Sequence, residues 1–349
     1  MKTSTSTRFR RPAGETADLL VSLSERVVGQ MPALEAIVPY VHLYQAGLAP
    51  ENRPVGVFLL LGPTGAGKTR TVEALAEAVH GSERNLLRVD CGEFQMEHEV
   101  AKLIGAPPGY LGHRETTPML TQQKLNACTS ERSNLSIVLF DEIEKAAPSL
   151  NRLLLGVLDK AVLRLGDNTT VNFERSIIFL TSNLGSRGMS RQMKPEFGFE
   201  ALTGARRASP RHKLHGIAMN AVKKKFTPEF INRIDVISTY YPLERASLEK
   251  ILQHQLDDFQ RHIAQRLGQR AFAVELSRKA RQFLLDRGVS DEYGARELKR
   301  TVHRFLIQPV ASMVARGQVE PMGAVYADYR SGDRELVFAA STAEDPLAA

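Results

Sequence analysis

Apolar residues along this chain follow two rhythms. Three short runs are unbroken: Val57-Phe-Leu-Leu-Leu61, Ser136-Ile-Val-Leu-Phe140 and Ser176-Ile-Ile-Phe-Leu180. They lack the alternation of a half-wet strand, so they predict parallel strands covered on both faces. Elsewhere apolar positions recur at helical spacing, in Arg70–Val79 directly after the first run, in Leu248–Phe259 and in Arg278–Leu285. Phe272-Ala-Val-Glu-Leu276 and Glu335-Leu-Val-Phe338 alternate as short strands. The expected fold class is α/β. A parallel sheet with helices on both faces should fill about residues 21–240, and a small α+β lid domain should follow at 241–338, with Pro242 at the hinge. Residues 1–20 and 339–349 read as disordered tails, the first of them basic.

Chemistry enters where the first strand meets the first helix. Gly62-Pro-Thr-Gly-Ala-Gly-Lys-Thr69 has the spacing of a phosphate-binding loop, and the strand–loop–helix context is the one the motif needs. Glycines let backbone N–H groups turn onto phosphate oxygens, and the helix N-terminus adds its positive end. Lys68 should reach the β- and γ-phosphates and the Thr69 hydroxyl should ligate Mg²⁺. The second run ends in Asp141-Glu142. Asp141 there would hold Mg²⁺ through water, and Glu142 would polarise the attacking water. The third run leads to Thr181-Ser182-Asn183, where Asn183 reads either as an amide for the γ-phosphate and lytic water or as a turn former. Arg233, after a short stretch capped by Thr227-Pro228, reads as an arginine finger or as a surface partner of Asp235. Arg296 stands in the first turn of a helix running through Val302, Phe305 and Leu306. A cation there opposes the helix dipole, which a phosphate contact would explain and helix stability does not.

Composition narrows the setting. The 349 residues suffice for two domains, and no apolar run approaches the roughly 20 residues of a membrane-spanning helix. With Cys91 and Cys128 alone, neither a disulfide framework nor a zinc cluster is implied, and a reducing cytoplasm fits. Formal net charge is +7, and Arg187–Lys225 alone holds ten Lys or Arg against two Glu. That segment could face nucleic acid, an acidic protein or solvent. It lacks interleaved aromatics for base stacking, which favours the latter two.

Taken together and in order, Arg26-Val-Val-Gly-Gln30, Gly62–Thr69, Leu103–Gly112, Val138–Lys145, Thr181–Gly185, Phe230–Asp235 and Tyr293–Arg300 resemble the second ATPase module, with its small domain, of Clp-type AAA+ unfoldases, the ClpA/ClpB/ClpC group. The resemblance runs from about residue 20 to about 338. It implies an AAA+ P-loop ATPase using ATP and Mg²⁺, with Gly62, Pro63, Thr64, Gly65, Ala66, Gly67, Lys68, Thr69 and Arg70 around the phosphates. Asp141 and Glu142 become the Walker B pair, Asn183 sensor 1, Arg233 the trans-acting finger and Arg296 sensor 2. Val27, Val28 and Ile251 would pack on adenine. It also implies a homo-hexamer that draws unfolded or tagged polypeptide past Tyr110 and Leu111 in an axial pore loop. Phe197-Gly198-Phe199 matches the tripeptide by which protease-coupled relatives dock a ClpP-like peptidase. The alternative class is an AAA+ motor acting on nucleic acid through residues 187–225. Departures from the pattern are His113–Pro118 after the pore tyrosine and Lys160–Asn168 in the second pore segment. The family's N-terminal domain, first ATPase module and middle domain find no counterpart here, so either a single-ring relative or a module working with other chains is expected.

Overall fold

A computed structural model of the protein describes residues 15–105, 118–193, 210–289 and 294–341. Its strands are β1 (Gly56–Leu61), β2 (Leu87–Asp90), β3 (Ser136–Asp141), β4 (Val162–Arg164), β5 (Thr170–Asn172), β6 (Ser176–Ser182), β7 (Val236–Thr239), β8 (Ala273–Leu276), β9 (Ala324–Asp328) and β10 (Val337–Ser341). Contacts divide the chain into two compact units. One holds residues up to Leu60, Thr69–Ser182 and Phe226–Ser238; the other holds Leu61–Lys68, Asn183–Lys225 and the chain from Thr239 onward.

In the first unit a five-stranded sheet has the order β2-β3-β6-β1-β7. β2 and β3 pair in parallel, as do β3 and β6, so Asp90 lies beside Asp141 and Phe140 beside Leu180. Every residue of β1, β3 and β6 is buried. Cover on both faces is why these strands read as unbroken apolar runs. Phe58 of β1 stacks on Phe179 of β6 with ring centroids 5.1 Å apart and meets the edge of Tyr40 at 4.9 Å. Truncating so buried a ring costs about 3–5 kcal/mol. Lys160–Asn168, the departing segment, runs into the β4–β5 antiparallel hairpin.

The second unit has its own core. Leu248, Leu252, Leu256 and Ile263 line one face of helix Arg245–Leu267 and pack with Phe283, Leu284, Leu298 and Leu306. A mixed sheet of order β10-β9-β8 closes it, with β9 parallel to β8 and antiparallel to β10. The helix expected to run on from Arg296 through Leu306 does so, but its winding changes on the way. It is α-helical over Ala295–Val302, widens to a π turn over His303–Ile307, and resumes over Gln308–Ala315. Pro309 explains this: it has no N–H to give the carbonyl four residues back and its ring crowds that carbonyl, so the turn before it widens. Helix Glu15–Arg26 begins inside the stretch read as a tail, and β10 continues to Ser341, past residue 338.

Candidate functional site

Of the glycine loop, Gly62–Lys68 belong to the second unit and Thr69 to the first. Gly62, Gly65 and Gly67 take φ values of +146°, +76° and +100°, where a side chain is strained. At Gly62 there is also no room, because an added Cβ would stand 2.4 Å from the Tyr240 carbonyl oxygen. Tyr240 N in turn donates to Leu61 O at 2.6 Å. At Gly67 the same direction is open, with nothing within 4 Å. Lys68 begins helix Lys68–His80, where a cation opposes the helix dipole. Hydrogen bonding offsets that cost: Nζ donates to Gly62 O at 2.7 Å, Pro63 O at 2.9 Å and Asn183 Oδ1 at 2.8 Å, and the side chain is buried. Lys68 and Asn183, more than a hundred residues apart, therefore meet directly.

A third part joins them within the same unit. Gly294 adopts φ +50° against the loop, and a Cβ there would lie 3.1 Å from Gly65 O. Ala295 N donates to that oxygen at 3.3 Å. The helix that opens with Ala295 thus spends a first-turn N–H on the glycine loop. Arg296, one residue on, is exposed and forms no ion pair among the described residues. Ile251 packs against the small-domain core, partly buried.

The acidic residues belong to the first unit. Asp141 ends β3 and is 9% exposed. Thr181 Oγ1 donates to its Oδ1 at 2.5 Å, and the Arg88 guanidinium meets its Oδ2 at 2.5 Å. The same Thr181 oxygen accepts from Glu142 N at 3.0 Å. That bond holds Glu142 at φ +56°, ψ +48°, a left-handed conformation unusual for a glutamate, of the kind that collects at functional sites. The Glu142 carboxylate pairs with Lys145 one turn on, and this hydrogen bond raises the Lys145 pKa above the usual ammonium value. Thr69 and Asp141 offer hard oxygens, and among the described residues no group of three or more His, Cys, Asp or Glu could hold a metal. That donor set fits magnesium, which takes one or two protein oxygens alongside phosphate and water. Cys91 is buried, and burial together with Asp141 pushes its thiol pKa well up, so it stays protonated and is no nucleophile.

The remaining expected residues lie as follows. Arg70 is drawn into pairs with Glu73, Glu77 and Glu83. Val27 is buried and Val28 partly so. Thr227 Oγ1 accepts from Phe230 N and caps helix Pro228–Ile231, as the sequence suggests. Asp235 pairs with Arg53, not with Arg233. Arg233 instead pairs with Asp159 at 3.5 Å and Glu229 at 3.4 Å, and its Nε is buried with no partner among the described residues. Tyr110, Leu111 and Phe197-Gly198-Phe199 lie outside the described residues. Of the basic segment, Ser186–Met193 and Pro210–Lys225 are helical. Sequence reasoning passed over Thr181, Arg88 and Lys145. A threonine closing the strand next to an acid-tipped strand was the one available signal for the first. Arg88 and Lys145 carried none.

Comparison with known proteins gives two family matches. The model described as the AAA domain (Cdc48 subfamily) matches residues 53–237, and that described as the C-terminal, D2-small domain of ClpB protein matches residues 243–327. Chaperone protein ClpB of Meiothermus ruber is 38% identical over 318 residues, 91% of this chain and 34% of the relative. ClpB of Corynebacterium diphtheriae is 37% identical over 331 residues, 94% and 35% respectively. A solved Hsp104–casein complex from S. cerevisiae superposes with TM-score 0.77 at 28% identity, covering 91% of this chain and 51% of that one. A closed-state reconstruction of Hsp104 with ATPγS and FITC casein gives 0.75 at 28%, covering 93% and 52%. The chain thus spans about a third of the length of these ClpB relatives and about half of the Hsp104 chains. These relatives lend no support to a ClpP-like partner or to action on nucleic acid.

Proposed function

This chain belongs to the AAA domain family, Cdc48 subfamily, and from that membership we infer an ATPase that spends ATP hydrolysis on moving polypeptide, as a protein-unfolding chaperone. The observation that carries the reading is the meeting of Lys68, Asn183 and the start of the Ala295 helix on one glycine loop. Three distant segments converge where a triphosphate would lie, and one of them comes from the C-terminal domain.

In this reading Gly62–Thr69 cradles the phosphates through backbone N–H groups, and Lys68 exchanges its carbonyl and amide partners for phosphate oxygens. Thr69 and Asp141 hold magnesium, which neutralises phosphate charge when bound. Glu142 takes the proton of the attacking water, and its left-handed backbone, fixed by Thr181, aims the carboxylate. Asn183 orients the γ-phosphate and that water, and Arg296 supplies positive charge from the small domain. Val27, Val28 and Ile251 serve the adenine. Because Ala295 N is bonded to Gly65 O, a change in the loop reaches the C-terminal domain directly. Arg233 acts on the neighbouring copy's nucleotide in a hexamer, and Tyr110 with Leu111 grips substrate in the pore. Residues 21–240 and 241–338 are the large and small domains of that motor, and a cytoplasmic site suits it. Among the described residues no helix is long and apolar enough to cross a membrane.

The test is the ATPase rate of the purified chain with casein, single-stranded DNA or double-stranded DNA. Stimulation by casein that disappears in Tyr110→Ala, with basal turnover kept, is expected. Stimulation by DNA alone overturns the reading.

A further inference from the structure

Arg88 stands on β2 in register with Leu139, two residues before Asp90, and its guanidinium bridges two acids. One terminal nitrogen lies 2.5 Å from Asp141 Oδ2. The other lies 3.9 Å from Glu73 Oε1 on helix Lys68–His80. Beyond Glu73 the charges continue: Arg70 lies 3.9 Å from Glu73 and 3.6 Å from Glu77, and Glu77 lies 3.3 Å from Arg26. Arg26 immediately precedes Val27 and Val28.

We propose that Arg88 is the resident counter-cation of Asp141, a positioning residue that holds the carboxylate while no metal is bound and surrenders it to a divalent cation, with Glu73 receiving the released guanidinium. The proposal rests on the reading of Asp141 as the magnesium aspartate. Asp141 is 9% exposed, and a carboxylate so placed is costly unless a cation stands by it. Thr181 fixes the Oδ1 oxygen, so Oδ2 is the one in contest. Arg88 is half exposed, at 50%, and its long side chain can swing without disturbing the strand. Its second partner is already at hand. Metal affinity is then a competition between the divalent cation and Arg88. Release of Arg88 onto Glu73 redistributes the pairs that end beside the residues read as adenine contacts.

The experiment titrates Mg²⁺ into the full chain at a fixed concentration of fluorescent ATP analogue, reading bound nucleotide. Mn²⁺ paramagnetic resonance gives a second, direct readout of bound metal. A charge-assisted bond of this kind removed by Arg88→Met should lower the metal midpoint about tenfold. Glu73→Gln should raise it, because the displaced guanidinium loses its acceptor. Arg88→Lys keeps the charge without the planar fork and should fall between wild type and Arg88→Met. It also serves should the methionine variant not fold. A midpoint unchanged or raised in both Arg88 variants, with the wild type metal-dependent, overturns the proposal alone. A wild type without metal dependence, or an Asp141→Asn variant that titrates like it, overturns the reading of Asp141 and the proposal with it.

Discussion

Thr181→Val is the most informative single change. It keeps the shape of a side chain that is 1% exposed and removes only its hydroxyl. Two bonds vanish: the 2.5 Å donation to Asp141 and the 3.0 Å acceptance from Glu142 N. Loss of the bond to a carboxylate is worth about 1.5–3 kcal/mol and loss of the backbone bond about 0.5–1.5 kcal/mol. The expected destabilisation is therefore about 2–4.5 kcal/mol. Thr181→Ser keeps both bonds and loses one buried methyl, so about 1 kcal/mol is expected there. Denaturant unfolding of the nucleotide-free protein, followed by a probe in the large unit, measures both variants. ATP turnover at saturation provides the second readout. With its backbone anchor gone, Glu142 no longer needs to stay left-handed, and turnover in Thr181→Val should fall at least about tenfold while Thr181→Ser stays near wild type. A valine variant within about 0.5 kcal/mol of wild type, or one no less stable than the serine variant, would refute the assignment of Thr181 as the pin of both acids.

Three further outcomes are expected. Gly62→Ala places a methyl against the Tyr240 backbone and should cost about 2–4 kcal/mol together with nucleotide affinity, read by thermal melts and fluorescent-nucleotide binding. Asp159→Asn removes one of the two acids paired with Arg233, in a partly exposed pair worth at most about 1 kcal/mol, so stability should hold while the concentration dependence of ATPase shifts to lower protein concentrations. Burial lowers the pKa of His80 below its ordinary value, so the unfolded chain binds the extra proton first as pH falls. Stability should drop with pH below about 6.5, and His80→Phe should flatten that slope in urea titrations across this range.

Much of this was legible in the sequence because it is local. A buried parallel strand announces itself by an unbroken apolar run, and Gly62–Thr69 gains its meaning from the strand and helix at its ends. The helices at Arg245–Leu267 and Arg278–Gly288 show their buried stripes in the same way. What stayed hidden is what distant segments do to one another. Arg88 sits in a four-residue strand whose pattern says nothing of Asp141, and its role follows from the register of β2 on β3. The reach of Ala295 to Gly65 depends on the fold of two hundred intervening residues. The π turn was foreshadowed only by Pro309, which the apolar spacing around it masks. Arg233 was offered Asp235 as its partner in sequence, but the acids it meets are Glu229, four residues back, and the distant Asp159.

The seating of Gly62 on Tyr240 and of Gly294 on Gly65 bears on how this module can be recombined. A chimera that takes its C-terminal segment from a relative would import, with the new small domain, the surface against which the phosphate loop is moulded. Compatibility of such grafts would be governed by a few backbone-to-backbone fits around positions 62, 65, 240 and 294, and hardly by overall identity.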